Sequence, residues 1–263
     1  MSASIHPTAI VEDGAKIGAN VQIGPFCHIG PNVELGADTV LQAHAVVKGY
    51  TAIGAGCVLH SHAVIGGAPQ VIGLEPTSES RLIVGDRTIF REHVTVHTGS
   101  PAHGGLTRIG HDCYLMVGSH VAHDCNLGNK VVMANNVSLA GHIEVADNVI
   151  FGGMAAVHQF ARIGRNAFIG GGAILVEDVI PFGSVIGNHA KLSGLNVVGL
   201  KRNGYTKEQI KSIRQAYRAI FFGEATFQSR LEKAAETYKS SDLGMEIVEF
   251  IRASGKRAIC KPD

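Results

Sequence analysis

Residues 5–35 read IHPTAIVEDGAKIGANVQIGPFCHIGPNVEL, and a branched aliphatic residue returns at every sixth position: Ile5, Val11, Ile17, Ile23, Ile29 and Leu35. The series continues through Leu41, Val47, Ile53, Leu59 and Ile65. Two residues ahead of each member, from position 9 on, stands a small or β-branched residue: Ala9, Ala15, Val21, Cys27, Val33, Thr39, Ala45, Thr51, Cys57 and Ala63. A helix repeats its apolar face near every 3.6 residues and a strand every 2, so a strict period of six fits neither as a long element. It fits short parallel strands joined at corners, one hexad per face of a prism, with three hexads, about 18 residues, completing a coil. Successive coils then stack at the parallel-strand spacing of about 4.8 Å.

The register lapses after Ile65, returns at Val84, Phe90 and Val96, lapses across TGSPAHGGLT, and then runs without a break from Ile109 to Leu175. The interruptions at 66–81 and 98–107 are rich in Gly and Pro and read as loops projecting from a rigid scaffold, where binding groups usually sit. From YTKEQIKSIRQAYRAIFF onward the period changes. Thr206 with Gln209 three residues later is a capping-box start, and Ile210, Ile213, Tyr217, Ile220 and Phe221 mark one helical face. The expected fold is therefore an all-β left-handed parallel β-helix of hexapeptide repeats over 1–200, with an α-helical C-terminal subdomain over 201–263.

Composition agrees. The chain has 263 residues, 45% hydrophobic, with 33 Gly, no Trp and only 6% aromatics, so the core must be built from small and aliphatic side chains. Residues 1–200 hold 10 Lys and Arg against 14 Asp and Glu and all 14 histidines, whereas 201–263 hold 13 against 8. A basic tail on a mildly acidic body suits an acidic partner. Of the five cysteines, none forms a C-x-x-C pair, and Cys27, Cys57, Cys113 and Cys125 all take the small inward site of the hexad. No apolar run of membrane-spanning length occurs, and MSASIHPTAI lacks a basic segment followed by an apolar one. A cytoplasmic location is expected, with neither a transmembrane span nor a nucleic-acid partner.

Within GSHVAHDCNLG, residues 118–128, Val121 and Cys125 belong to the repeat, but His120, His123 and Asp124 fall on non-core positions. Residues 18 apart lie over one another, which places Gly141, the neighbour of His142, above His123, and His158 and Gln159 above Ala140 and Gly141. His120, His123, Asp124, His142, His158 and Gln159 thus share one corner region. Solvated corner polarity, a metal site and acid/base chemistry compete for that stripe. A closed metal site wants three ligands converging on one point, and the varied offsets of these histidines argue against it, so no metal is expected. A His beside a carboxylate suits a general base near neutral pH. Gly141 can offer an unblocked N–H as an oxyanion donor. No nucleophile elbow is present, which favours direct attack by an acceptor over an acyl-enzyme.

The strings IHPTAIV, IGPFCHIGP, HVAHDCNLGN, ANNVSLAGH, FGGMAAVHQF, GNHA and GLKRNGY occur in this order, and with them the chain resembles the UDP-N-acetylglucosamine O-acyltransferases that begin lipid A synthesis in Gram-negative bacteria. The resemblance covers nearly the whole chain. The related N-acyltransferases carry an extra N-terminal uridine-binding domain; with the repeat starting at Ile5, none is expected here.

The resemblance implies a homotrimer with clefts between neighbouring prisms. It implies transfer of an (R)-3-hydroxyacyl chain from acyl carrier protein, whose phosphopantetheine carries the donor so that no separate cofactor is needed, to the glucosamine 3-hydroxyl. His123 corresponds to the general base, Asp124 to its partner and Gly141 to the oxyanion donor. His120, His142, His158 and Gln159 correspond to cleft residues; Gln70, Asn196 and Arg202 to sugar-nucleotide contacts; and Gly171 to the position that sets acyl-chain length. The basic C-terminal region suits the acidic carrier protein. The chain departs from the family pattern at Val71, Gly73, Val198 and Asn203, all in the sugar-nucleotide pocket, which keeps N-acylation of a 3-amino analogue as an alternative. A trimeric β-helical zinc hydratase is the alternative of a different class.

Overall fold

The computed structural model describes residues 2–74, 77–255 and 257–262. Short strands, most of two residues, form three parallel sheets of 11, 9 and 8 strands, in each of which sequence-distant strands lie side by side. Ile5 pairs with Ile23, Ile23 with Leu41, and Leu41 with Leu59, each partner one hexad-triplet along. The three sheets are the faces of a left-handed parallel β-helix. The spacing between stacked residues is 18 in regular coils, 31 across the first insertion and 25 across the second. Among the described residues the one antiparallel pair is Gly183–Ile186 with Lys191–Leu195, which ends the prism.

The two-layer hexad determines the core. Leu41, Leu59, Phe90, Leu115, Met133, Phe151 and Ile169 are stacked on one sheet and almost wholly buried. The small sites Cys27, Ala45, Cys57, Ala63, Cys113 and Cys125 are buried between them. All five cysteines are free thiols, and desolvation pushes Cys125 up to about 12, so it is a small core residue with no thiolate chemistry at neutral pH.

Most corners are two-residue turns whose second residue has positive φ. Among the described residues eighteen non-glycine residues have positive φ, and twelve of them are Asn, Asp or His. These residue types tolerate the left-handed region best. Asp124 (φ 59°) and His142 (φ 62°) are two such corners on adjacent coils.

Among the described residues four α-helices follow: α1 (Val197–Arg202), α2 (Lys207–Phe221), α3 (Phe227–Thr237) and α4 (Asp242–Arg252). α1 straddles the boundary expected at residue 200. The capping box anticipated at Thr206 and Gln209 is present. The helices are tied to the prism through polar contacts. Asp178, fully buried, accepts from Arg162 and Arg257, and Arg162 also donates to the Phe250 carbonyl. Asn166 joins α1 to the last coils: its carbonyl accepts from Asn196 Nδ2 at 2.9 Å and its side-chain oxygen from Asn203 Nδ2 at 2.6 Å.

Candidate active site

The corner formed by His123 and Asp124 is buried on one side by the second insertion. The backbone N–H of Asp124 donates to Thr107 Oγ1 (2.8 Å), and the Ser100 N–H donates to Asp124 Oδ1 (2.9 Å). The other carboxylate oxygen, Oδ2, lies 2.7 Å from His123 Nδ1. A carboxylate only accepts, so Nδ1 carries the proton and Nε2 keeps its lone pair. The Asp124 side chain is 4% exposed and that of His123 14%, so the pair works largely away from water. Low local polarity strengthens such a charge-assisted bond.

Gly141 sits directly against the free edge of the imidazole. A Cβ there would come within 2.6 Å of His123 Cε1 and 2.9 Å of Nε2. Any larger residue would push the ring away, so glycine is required for close approach. Its N–H donates to no protein acceptor among the described residues, while its carbonyl accepts from the Phe160 N–H at 3.1 Å.

His142, one coil above Asp124, packs edge-on against His123 with ring centres 5.1 Å apart and stacks flat on Phe160 at 4.5 Å. Its Nε2 is 3.8 Å from Asp124 Oδ2. Burial lowers its pKa, with Asp124 opposing and the His123 and His103 rings adding to the shift, so it is neutral at pH 7. On the other side of the corner, His120 Nδ1 is 2.8 Å from Thr95 Oγ1, and its ring meets His97 edge-on at 5.2 Å. Burial, helped by His97, pushes His120 down to about 4. His97 is lowered as well, chiefly by burial, and donates through Nδ1 to the Ala68 carbonyl.

The expected residues divide into three groups. His120, His123, Asp124, Gly141 and His142 come together. His158 and Gln159 lie one coil further on and are linked to each other, His158 Nδ1 donating to the Gln159 carbonyl at 3.3 Å; no hydrogen bond among the described residues joins them to His123. Gln70 is exposed two residues beyond Ala68, at the mouth of the first insertion, beside Val71 and Gly73.

Asn196 and Arg202 line a separate hollow of about 480 Å³ with Val198, Ile150, Phe168 and Ser184. Asn196 also has a structural task there, since it caps α1 by accepting from the Gly199 N–H. Asn203, a departure from the family pattern, is held by Asn166 as described above. Gly171 is exposed, and a Cβ added to it would meet nothing closer than 3.4 Å, so the space beside it is open by choice of residue.

Several residues in contact with the site escape a purely periodic reading: Thr95, His97, Ser100, Thr107 and Phe160, and outside it, on the groove side of Asp124, His103. The hexads on either side of the second insertion, at Val96 and Val121, pair across 25 residues instead of 18. That offset, once known, puts Thr95 under His120 and His97 next to it. Nothing in the periodicity locates Ser100 or His103, which lie within the insertion.

Family models match this chain in two places: the second domain of UDP-N-acetylglucosamine O-acyltransferases over residues 178–260, and six repeats of the bacterial transferase hexapeptide over 14–49. The acyl-[acyl-carrier-protein]–UDP-N-acetylglucosamine O-acyltransferase of Caulobacter vibrioides is 52% identical over 260 residues, covering 99% of this chain and 98% of the relative. The enzyme of the same name from Sinorhizobium fredii is 46% identical, covering 100% and 97%. Among solved structures, LpxA from Acinetobacter baumannii superposes with a TM-score of 0.92 at 36% identity, covering 98% of this chain and 99% of its own. The Arabidopsis UDP-N-acetylglucosamine acyltransferase gives 0.85 at 35%, covering 98% and 100%. With a carboxylate-held histidine packed against a glycine, and with relatives matched from end to end, this chain belongs to the UDP-N-acetylglucosamine O-acyltransferase family.

Proposed function

We propose that the protein transfers an (R)-3-hydroxyacyl group from acyl carrier protein to the 3-hydroxyl of UDP-N-acetylglucosamine, the first step of lipid A biosynthesis. The observation that carries the reading is the His123 imidazole, fixed by Asp124 at Nδ1 and turned with Nε2 towards Gly141. His123 Nε2 takes the proton of the sugar hydroxyl as its oxygen attacks the thioester carbonyl. The oxyanion that forms accepts from the Gly141 N–H. The C–S bond then breaks, and the imidazolium returns its proton to the departing phosphopantetheine thiolate, leaving an ester and free carrier protein. A positioned base of this kind contributes about 10² to 10⁴ in rate, and one oxyanion donor about 3–4 kcal/mol.

His97 and His120 are neutral at pH 7 and present hydrogen-bonding edges beside the base, suited to an uncharged sugar. Gln70 at the mouth of the first insertion, and His142, His158 and Gln159 along the stripe, complete the lining of the cleft. The hollow at Asn196, Val198 and Arg202 takes the nucleotide, with Arg202 opposite its phosphates. Open space at Gly171 favours a long acyl chain.

Lys207, Lys211, Arg214 and Arg218 are all exposed on α2, at spacings that align them on one face, and offer the acidic carrier protein a basic landing surface. The active assembly is a homotrimer, with the cleft closed by a neighbouring prism, and works in the cytoplasm. No helix among the described residues is long and apolar enough to cross a membrane. Nothing in the relatives supports the hydratase alternative.

The test is transfer from a panel of acyl-carrier-protein thioesters to UDP-N-acetylglucosamine and to its 3-amino analogue. Turnover with the hydroxyl acceptor is expected, and His123→Ala is expected to lose at least 10³-fold in kcat without a change in assembly. A His123→Ala variant that keeps more than a tenth of the wild-type rate overturns the assignment of the base.

A further inference from the structure

Asp124 has two sides. One holds His123, and the other faces a shallow groove of about 360 Å³ lined by His103, Leu106, Asn126, His142, Glu144 and Phe160. On that second side, one ligand atom each from His103, Asp124 and His142 lie within 4.8 Å of one another. Two imidazoles and a carboxylate are the donor set of open transition-metal sites, with the remaining positions left to water or substrate.

The geometry is close to closed. Ligands about 2.0–2.2 Å from a tetrahedral zinc ion are roughly 3.3–3.6 Å apart, and Asp124 Oδ2 to His142 Nε2 is already 3.8 Å. The remaining adjustment falls on His103. It is exposed, on the short 3-10 turn Pro101–His103, and its ring meets His142 edge-on with centres 4.7 Å apart.

We propose that His103, Asp124 and His142 form an inhibitory site for a divalent transition-metal ion of the zinc class. The ion does no chemistry on the substrate. It binds on the far side of the carboxylate and draws on Oδ2, the same oxygen that holds His123 Nδ1. A carboxylate shared with a dication is a poorer partner for an imidazolium, so the base is weakened, and the His142 ring is taken from the cleft it lines. The effect falls on kcat through the base and on KM through His142. His103 plays no part in acyl transfer; it confers metal sensitivity on a site that otherwise offers only two ligands.

This inference rests on the proposed function for its effect on rate, but metal binding can be measured without it. Full-length protein stripped with EDTA is titrated with ZnCl2 by calorimetry, and with CoCl2 to read the visible absorption of a four-coordinate site. One Zn²⁺ per chain is expected, and His103→Ala should weaken binding at least tenfold, the scale on which loss of a supporting contact already acts. In parallel, Zn²⁺ should lower the kcat of the wild type. His103→Ala, at the wild-type rate in EDTA, should need at least ten times more Zn²⁺ for the same inhibition. Equal zinc affinity in wild type and His103→Ala overturns the proposal, as does equal inhibition of the two. If no acyl transfer occurs even in EDTA, the functional reading fails and the titration still decides the site.

Discussion

Two columns of aromatic rings climb the corners of this prism, and they differ in what surrounds them. In the N-terminal half Phe26, His44, His62 and His93 stack face to face on successive coils, with centres 4.9–5.1 Å apart and planes within 14°. All four side chains are exposed positive-φ corners, and none of the three histidines makes a side-chain hydrogen bond among the described residues. In the C-terminal half His142 and Phe160 make the same flat stack at the same kind of corner. There, however, Asp124 occupies the rung below, an insertion covers it, and His123 is turned edge-on to the column. Histidine at a corner is thus a product of the repeat, because it tolerates the left-handed turn and stacks at the strand spacing. Chemistry requires a buried carboxylate and an imidazole fixed in one tautomer.

The largest expected contrast is between the two carboxylate and ring environments. Asp124→Asn should cut kcat about 10²-fold or more, because an amide in place of the carboxylate no longer stabilises the imidazolium and can favour the wrong tautomer. His44→Ala, in the exposed column, should leave kcat within twofold and cost no more than about 1 kcal/mol of stability, the scale of an aromatic pair. Steady-state rates and thermal melts of both variants, measured together, check this. Equal losses of rate would erase the distinction.

Next comes Gly141→Ala, whose methyl would stand 2.6 Å from His123 Cε1. Displacement of the ring by about 1 Å is expected to cost roughly 10² in kcat, with little change in Tm since the methyl meets only the tip of a side chain. A crystal structure of the variant should show the ring rotated off its present position. Wild-type rates in this variant would show that the ring does not need its present place.

The smallest expected effect is on stability against pH. His120 is pushed down to about 4 from 6.5 by burial. Between those values the unfolded chain binds more protons at this residue than the native one, so stability rises with pH across the window and is complete above it. The wild-type Tm should therefore fall on acidification from pH 7 towards 4, and His120→Gln should make that fall shallower. An unchanged slope would mean that His120 titrates alike in the folded and unfolded chains.

Much of this was legible in the sequence because a period of six is enforced by geometry at every coil. Ile23, Leu41 and Leu59 must lie over one another if each coil takes 18 residues, and from that register His123 can be placed beneath Gly141 with no coordinates at all. The same rule assigned Cys125 to the core and removed it from any metal site. It failed where the coil length changed. His97 joins the site because the second insertion stretches the pairing to 25 residues, and Ser100 joins because the loop folds back to donate to Asp124. His158 and Gln159, placed correctly by register, stay apart from the base because a shared corner does not bring every side chain to one point.

By itself, then, the sequence determined the β-helix and its core through a period of six kept outside the two insertions, the helical tail through the change of that period, and the neighbourhood of His123, Asp124 and Gly141 through the 18-residue register. The tertiary structure alone decided which face of the Asp124 carboxylate meets which histidine, how the insertions clamp it, and that Asn166 docks α1 through Asn196 and Asn203. Those contacts join segments whose separation along the chain follows no period. Only the closure of loops and the packing of helices against the last coils brings them within hydrogen-bonding distance.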